Sequence, residues 1–100
     1  MSTSWLAGMY EGEGCIEQTS AYGFRLIIVS TDLDVLQKIQ LISGGTINPT
    51  KTYKKHHKPA WRWRLGDKES VYKLLCDMMP WLGMRRSYAA LNALDTMDKI

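Results

Sequence analysis

The chain has 100 residues, 45% of them hydrophobic, and a formal net charge of +3, which predicts one globular domain over residues 1–100 with a modest core. No apolar run reaches the roughly 20 residues that a membrane span needs, and the first residues lack the features of a secretory signal. Cys15 and Cys76 form no CxxC motif, so we expect free, buried thiols and a cytosolic, reduced protein with no membrane partner.

The first half of the chain predicts a helix, a β-hairpin and a second helix. Residues 3–13 are compatible with a helix, and Gly14 suits the left-handed position just past a helix end. Residues 15–20 and 24–30 are rich in β-forming side chains and are separated by a segment of turn length. Thr31 with Asp34 resembles a capping box, and Gly44 and Gly45 end the helix that this box opens.

The second half predicts another hairpin and two more helices. Residues 45–54 and 60–65 predict strands, and in the second of them Trp61, Trp63 and Leu65 alternate with two arginines. Asp67 is placed to cap a helix that Pro80 ends, because the residue before a proline disfavours the helical region. A last amphipathic helix begins at about residue 84 and carries these side chains on one face: Tyr88, Leu91 and Leu94.

Together these elements predict an α+β fold in which helices cover one face of a four-stranded antiparallel sheet. Ile16, Leu26 and Ile28 point towards the helices if their strands follow the same alternation. The opposite face is then polar and basic, and it carries Glu17, Thr19, Arg25, Ile27, Thr46, Asn48, Thr50, Arg62 and Arg64.

Charge is distributed unevenly along the chain. Between Asp34 and Asp67 there is no acidic residue, whereas the basic residues in this interval are Lys38, Lys51, Lys54, Lys55, Lys58, Arg62 and Arg64. Such segregation favours a polyanionic partner. A solvated, lysine-rich hairpin is the alternative that charge alone leaves open.

The first predicted helix has two unusual features. Gly8 and Gly12 lie one turn apart on the same helix face, and each costs about 1 kcal/mol relative to alanine, which predicts the close approach of another backbone. That backbone belongs either to the chain's own domain or to a second copy. Glu13 lies near the helix C-terminus, where the helix dipole disfavours an anion. If two copies met through their glycines, two carboxylates would converge and would favour a hard cation such as Mg²⁺.

Residues 6–14, with the sequence LAGMYEGEG, resemble the signature of the LAGLIDADG homing endonucleases, and Trp5 before them and Cys15 after them are also typical of that family. The αββαββα element order extends the resemblance over nearly the whole chain. The Gly44-Gly45 pair agrees with it, and so does the segment Pro80-Trp81-Leu82, which basic residues follow. The resemblance implies the LAGLIDADG fold with a saddle-shaped sheet, and a cytoplasmic or nucleoid-associated homing DNA endonuclease. Its genetic context stays open between a mobile intron, an intein and a free-standing gene.

Family members with a single motif act as homodimers, so the resemblance implies a symmetric dimer that makes a staggered double-strand cut in a long, nearly palindromic DNA site. The dimer interface is expected to include Leu6, Gly8, Met9 and Gly12. The family pattern also implies that Glu13 binds the catalytic Mg²⁺, which Mn²⁺ could replace, with Gly12 included in the candidate metal site. No small-molecule cofactor is expected.

The resemblance further implies two residues that organise water around the scissile phosphate. Spacing from Pro80 assigns the basic one to Arg85, with Arg86 as its competitor, and the polar one is Ser30 at the end of the second strand. Glu11, the other acid of the motif, is expected to be structural.

For DNA recognition, the sheet is expected to contact base edges in the major groove. Arginines suit guanine, Asn48 suits adenine and Glu17 suits cytosine. The residues expected to contact phosphates are Lys51, Lys54, Lys55 and Lys58. Two alternatives stay open on the same fold, namely a DNA-binding module that does not cleave and an RNA-splicing maturase. Retention of Glu13 favours the nuclease.

Overall fold

The computed structural model describes residues 3–50 and 59–98 of the chain. Its elements are α1 (Thr3–Glu13), β1 (Gly14–Gln18), β2 (Phe24–Ser30), α2 (Leu33–Ser43), β3 (Thr46–Pro49), β4 (Trp61–Leu65), α3 (Lys68–Met78), a 3₁₀ turn (Met79–Trp81) and α4 (Met84–Met97). The predicted order of helices and strands is confirmed. None of the helices in the described ranges is long and apolar enough to cross a membrane.

The four strands form one antiparallel sheet with the order β1-β2-β4-β3. The two predicted hairpins are therefore present, and they join through β2 and β4. In this register Leu26 lies opposite Ile16 on one side and Leu65 on the other, and Ile28 lies opposite Trp63. These side chains share the face that the helices cover, so the predicted alternation is confirmed.

The core lies between this face and the helices. Leu26, Ile28 and Trp63 have no exposed surface. The Trp63 indole Nε1 donates a 2.8 Å hydrogen bond to the Gly44 carbonyl, which connects the sheet to the end of α2. The tryptophan is thus a core residue with its one polar atom paired, as buried tryptophans usually are.

Two of the predicted helix ends are confirmed. The Asp67 carboxylate accepts hydrogen bonds from the Ser70 backbone N–H at 3.0 Å and from the Ser70 hydroxyl at 2.8 Å, so it caps α3. Both bonds lower the pKa of Asp67, and the bond from the Ser70 hydroxyl has the larger effect. Helix α3 ends at Met78, two residues before Pro80, but the expected reason is wrong: Met79 has helical angles, φ −47° and ψ −46°, and the chain continues into the 3₁₀ turn that contains Pro80.

Two other predicted helix boundaries are wrong. The N-cap of α2 is Asp32 rather than Thr31, and its side chain makes no capping hydrogen bond. Gly14 begins β1 instead of adopting a left-handed conformation, and the positive φ angles of the described residues are those of Gly44 and Gly45. A Cβ on Gly14 would lie 2.3 Å from the Tyr10 ring, so close packing, and not a positive φ, accounts for this glycine.

The buried face of α4 also differs from the prediction. Helix α4 buries small side chains with Leu94 and Met97, whereas Tyr88 is 68% exposed and Leu91 is 47% exposed. Ala90 and Ala93 are buried, at 1% and 0% exposure, so the face of α4 that packs in the core is rotated away from Tyr88 and Leu91. Cys15 and Cys76 are exposed free thiols, and the expectation that they are buried is wrong.

Candidate functional site

The motif helix α1 has one buried face and one open face. Leu6 and Ala7 have no exposed surface and Tyr10 is 2% exposed, so these residues pack in the chain's own core. A Cβ on Gly8 or Gly12 would meet no described atom within 4 Å. The two glycines predict that another backbone packs closely against them, but no backbone of the described domain does so. The expectation that Leu6 contacts a second copy is corrected, because a fully buried side chain has no surface to offer a partner.

Glu13 is exposed at the last position of α1, and it lines a cleft of about 420 Å³ together with Met9 and Ser30. The cleft forms where the end of α1 meets the end of β2 and the turn that follows. The Ser30 hydroxyl oxygen accepts a 3.0 Å hydrogen bond from the backbone N–H of Asp32, whose side chain also lines the cleft. The sequence predicted Glu13 and Ser30 for one site, and the structure brings them together.

The oxygen atoms of this cleft are chemically suited to a divalent cation. Mg²⁺ takes oxygen ligands and is usually held by one or two carboxylates together with waters and substrate phosphates. The described residues contain no group of three or more His, Cys, Asp or Glu side chains that could enclose a metal. The Glu13 carboxylate therefore fits an ion that keeps most of its ligands as waters or phosphate oxygens, rather than an ion in an all-protein cage.

Two contacts join the motif helix to the start of α4. The Glu11 carboxylate accepts a 3.1 Å hydrogen bond from the backbone N–H of Gly83, and a Cβ on Gly83 would lie 2.6 Å from a Glu11 carboxylate oxygen. The Arg86 guanidinium lies 5.6 Å from the centre of the Tyr10 ring. Burial raises the pKa of Tyr10 to about 12, although the nearby Arg86 charge acts in the opposite direction. The motif helix therefore fixes the position of the α4 N-terminus.

These contacts distinguish the surroundings of Arg85, the predicted residue, from those of its competitor Arg86. Arg86 is partly buried against the motif helix, and its Nε is buried without a hydrogen-bond partner among the described residues. Arg85 is exposed in the first turn of α4. Neither arginine lines the cleft that contains Glu13 and Ser30.

The sheet face that the helices leave uncovered carries the predicted polar and basic residues. Across the sheet, Arg64 lies opposite Ile27 on β2 and Thr46 on β3, and Arg62 lies opposite Asn48 on β3. Arg62, Asn48 and Thr46 are exposed, and Ile27 and Arg64 are half-buried. The predicted residues of this face are therefore neighbours in space, although three strands supply them.

Arg25 and Arg64 line a second cleft at one end of this face, with a volume of about 490 Å³, and Thr46 also lines it. Glu17 lies directly opposite Arg25 in the β1–β2 pairing. One Glu17 carboxylate oxygen is 2.7 Å from Arg25 Nη2, so these two residues form an ion pair. The sequence treated them as separate contacts, whereas the structure pairs them.

The remaining predicted contacts lie at the margins of the sheet. Thr19 is exposed just beyond β1. Thr50 lies beyond the end of β3, where its hydroxyl donates to the Ala60 carbonyl at 3.1 Å. Of the strand predicted over residues 45–54, the described part of the chain contains four residues, Thr46–Pro49. The lysines predicted to contact phosphates lie outside the described residues: Lys51, Lys54, Lys55 and Lys58.

Sequence reasoning missed two features of this region. The alternation of β1 and β2 places Val29 on the uncovered face together with Cys15, and that pattern alone could have identified Val29. By contrast, no local signal links Glu11 to Gly83, because 72 positions separate them.

Solved structures share this architecture. The homing endonuclease I-CvuI, solved in complex with DNA, has a TM-score of 0.73 and 23% identity, and the match covers 97% of this chain and 66% of that one. I-SmaMI bound to DNA has a TM-score of 0.71 and 14% identity over 98% of this chain and 38% of that one. The archaeal intron-encoded homing endonuclease I-Vdi141I, complexed with DNA, has a TM-score of 0.63 and 11% identity over 97% of this chain and 94% of that one.

No family model matches the sequence, and no curated protein does so. The chain spans about two thirds of the length of I-CvuI. Its structural neighbours include LAGLIDADG homing endonucleases, and the chain has their fold.

Proposed function

We propose that this chain is a site-specific DNA endonuclease that acts as a homodimer and hydrolyses phosphodiester bonds with a divalent metal ion. The observation that carries the proposal is the position of Glu13. Its carboxylate is exposed at the end of the motif helix, in a cleft that also contains Ser30 and is lined in part by Val29, which lies opposite Arg62 on the uncovered face of the sheet. The fold that this chain shares with DNA-bound homing endonucleases supports the same function.

The open glycine face of α1 supports the dimer. Gly8 and Gly12 are exposed with no neighbouring atoms in the described chain, and Met9 lies between them with part of its surface free. A second α1 packed on this face would approach backbone to backbone and would bring two Glu13 carboxylates close together. Because two nearby carboxylates repel each other, a cation between or beside them would stabilise this arrangement.

In the proposed reaction Glu13 holds the metal, and Gly12 lies next to it at the helix end. Mg²⁺, or Mn²⁺ in its place, would polarise the scissile phosphate and lower the pKa of a bound water. The Ser30 hydroxyl orients water in the same cleft. We assign to Arg85 the role of the basic residue that organises water around the scissile phosphate. Arg85 is exposed, and the first turn of α4 is held against the motif helix through Glu11.

DNA binding is assigned to the uncovered sheet face. Arg62, Arg64 and Asn48 present donors suited to base edges in the major groove, and Thr46 adds a hydroxyl. Ile27 suits the methyl group of thymine. The lysines of residues 51–58 would contact phosphates, and such contacts make binding weaken steeply with salt.

The proposal is tested by incubating the purified protein with a randomised duplex library and Mg²⁺ and sequencing the cut ends. We expect two-fold related half-sites and a short, constant stagger. Glu13→Gln should reduce cleavage by about 100- to 1,000-fold, on the order of the losses seen when transition-state charge stabilisation is removed. It should leave the affinity for DNA within a few-fold of the original.

Glu69→Gln is the matched control, because Glu69 is an exposed acid on α3 and its replacement changes the charge by the same amount. If Glu13→Gln cleaves as fast as this control, the proposed mechanism is wrong. If the unmodified chain binds duplex DNA but never cuts it, the chain is a DNA-binding module without nuclease activity. If it binds structured RNA in preference to duplex DNA, the maturase alternative is correct.

A separate measurement tests the dimer. Gly8→Leu would place a large side chain on the open face of α1 without disturbing the domain, since no described atom lies within 4 Å of the new Cβ. Sedimentation should show the unmodified chain as a dimer and this variant as a folded monomer. A dimer that survives Gly8→Leu would exclude this face as the interface.

A further inference from the structure

The ion pair between Glu17 and Arg25 lies on the uncovered face of the sheet, at its β1 edge. The two residues are directly opposite each other, and their side chains are 49% and 31% exposed, respectively. An exposed pair of this kind contributes little to fold stability. An acid here also opposes the binding of a polyanion, because it places a negative charge on a face that is otherwise basic. Neither stability nor affinity therefore explains Glu17.

The geometry of the pair leaves a defined set of hydrogen-bonding atoms free. The Arg25 guanidinium has five N–H donors in a rigid plane. Its Nη2 donates to Glu17 Oε1 at 2.7 Å, and its Nε is buried without a partner among the described residues. The two N–H groups of Nη1 and the second N–H of Nη2 remain at the outer end of the side chain. Glu17 still has a second carboxylate oxygen that can accept.

This combination of donors and an acceptor matches one base pair better than the others. In the major groove guanine presents two acceptors, O6 and N7, and its partner cytosine presents a donor, the N4 amino group. A guanidinium held by a carboxylate presents two donors beside one acceptor, which is the complementary pattern. An A·T pair instead presents a donor from adenine where the guanidinium needs an acceptor, together with the methyl group of thymine.

We infer that Glu17 and Arg25 act as one recognition unit that selects a G·C pair at a single position of each half-site. Glu17 accepts from cytosine and at the same time orients Arg25 towards guanine. In the free protein Arg25 is already bonded to Glu17, and it lines the adjacent cleft. This inference rests on the proposed function, since it requires the sheet face to bind duplex DNA.

The test is selection of bound sequences from a randomised duplex pool in EDTA, so that the readout is binding alone and does not depend on cleavage. The proteins compared are the unmodified chain, Glu17→Gln, Arg25→Lys and the charge-matched control Glu69→Gln. We expect the unmodified chain and the control to prefer G·C at one position of each half-site by about 5- to 150-fold, the discrimination typical of a bidentate contact. Glu17→Gln and Arg25→Lys should both lose that preference, and at the same position.

Each other outcome overturns the inference. If Glu17→Gln strengthens binding to all sequences and leaves the G·C preference intact, the acid is only a charge on the surface. If the two variants change different positions, the residues act separately. If the unmodified chain selects no sequence at all, the proposed DNA-binding function fails, and the recognition unit fails with it. Thermal unfolding monitored by circular dichroism shows whether each variant is folded, and we expect no large change because both side chains are partly exposed.

Discussion

Gly45 lies in the turn between the end of α2 and the start of β3. Its φ angle is +94°, and a Cβ there would lie 2.6 Å from the Arg64 carbonyl oxygen and 2.6 Å from Trp63 Nε1. Gly44 next to it has a φ angle of +78°, but a Cβ there would meet nothing within 4 Å. The two glycines therefore form a matched pair, because both have a positive φ and only Gly45 is closely packed.

We predict that Gly44→Ala lowers the free energy of unfolding by about 1–3 kcal/mol, the usual cost of a strained backbone conformation. Gly45→Ala carries the same strain and also displaces the Trp63 indole, whose Nε1 donates to the Gly44 carbonyl. A buried donor left without its partner costs about 1–3 kcal/mol. The total for Gly45→Ala is therefore about 2–6 kcal/mol, a large fraction of the roughly 5–15 kcal/mol that stabilises a typical domain.

The assay is urea unfolding followed by tryptophan fluorescence for the unmodified chain, both alanine variants and Trp63→Phe. Trp63→Phe removes the hydrogen bond without adding an atom at residue 45, so it separates the lost bond from the steric clash. If Gly45→Ala is no more destabilising than Gly44→Ala, the close approach of Gly45 to Trp63 and Arg64 does not contribute to stability, and the reasoning is refuted.

Three further predictions concern ionisable groups. Because burial raises the pKa of Tyr10 to about 12, above its unfolded value of 10.0, the stability that the neutral phenol contributes is complete below pH 10 and is lost between pH 10 and 12. Tyr10→Phe should flatten the fall in melting temperature over that range, and an unchanged slope would contradict this assignment. Glu11→Ala should lower the free energy of unfolding by about 1 kcal/mol, because it removes the acceptor for the Gly83 N–H, whereas Glu11→Gln keeps an acceptor and should lower it less. Equal losses for the two variants in urea unfolding would argue against this contact. Because hydrogen bonds from Ser70 lower the pKa of Asp67, the stability from this carboxylate is present above its unfolded value of 3.8 and is lost as the pH falls through the folded value. Asp67→Ala should therefore lower the melting temperature at pH 7 and have a smaller effect below pH 3, and a pH-independent difference would show that the charge of the cap is unimportant.

Much of the candidate site was predictable from local patterns. The alternation of tryptophan and arginine in β4 predicted which side chains face the helices, because successive side chains in a strand point to opposite faces. Glu13 and the two glycines of α1 were predictable from their positions on one short helix. The different surroundings of Arg85 and Arg86 were not, since they depend on which of the two reaches Tyr10.

The sequence by itself determined the order of the elements, the two faces of the sheet and the motif on α1, because these follow from steric periods that act over a few residues. Only the tertiary structure decided that Leu6 is a core residue, that Ser30 and Glu13 share a cleft and that Glu17 pairs with Arg25. It also decided the strand order β1-β2-β4-β3, which joins two hairpins that are distant in the chain. The physical reason is the same in each case: these contacts depend on how complete elements pack together, and no single element contains the information.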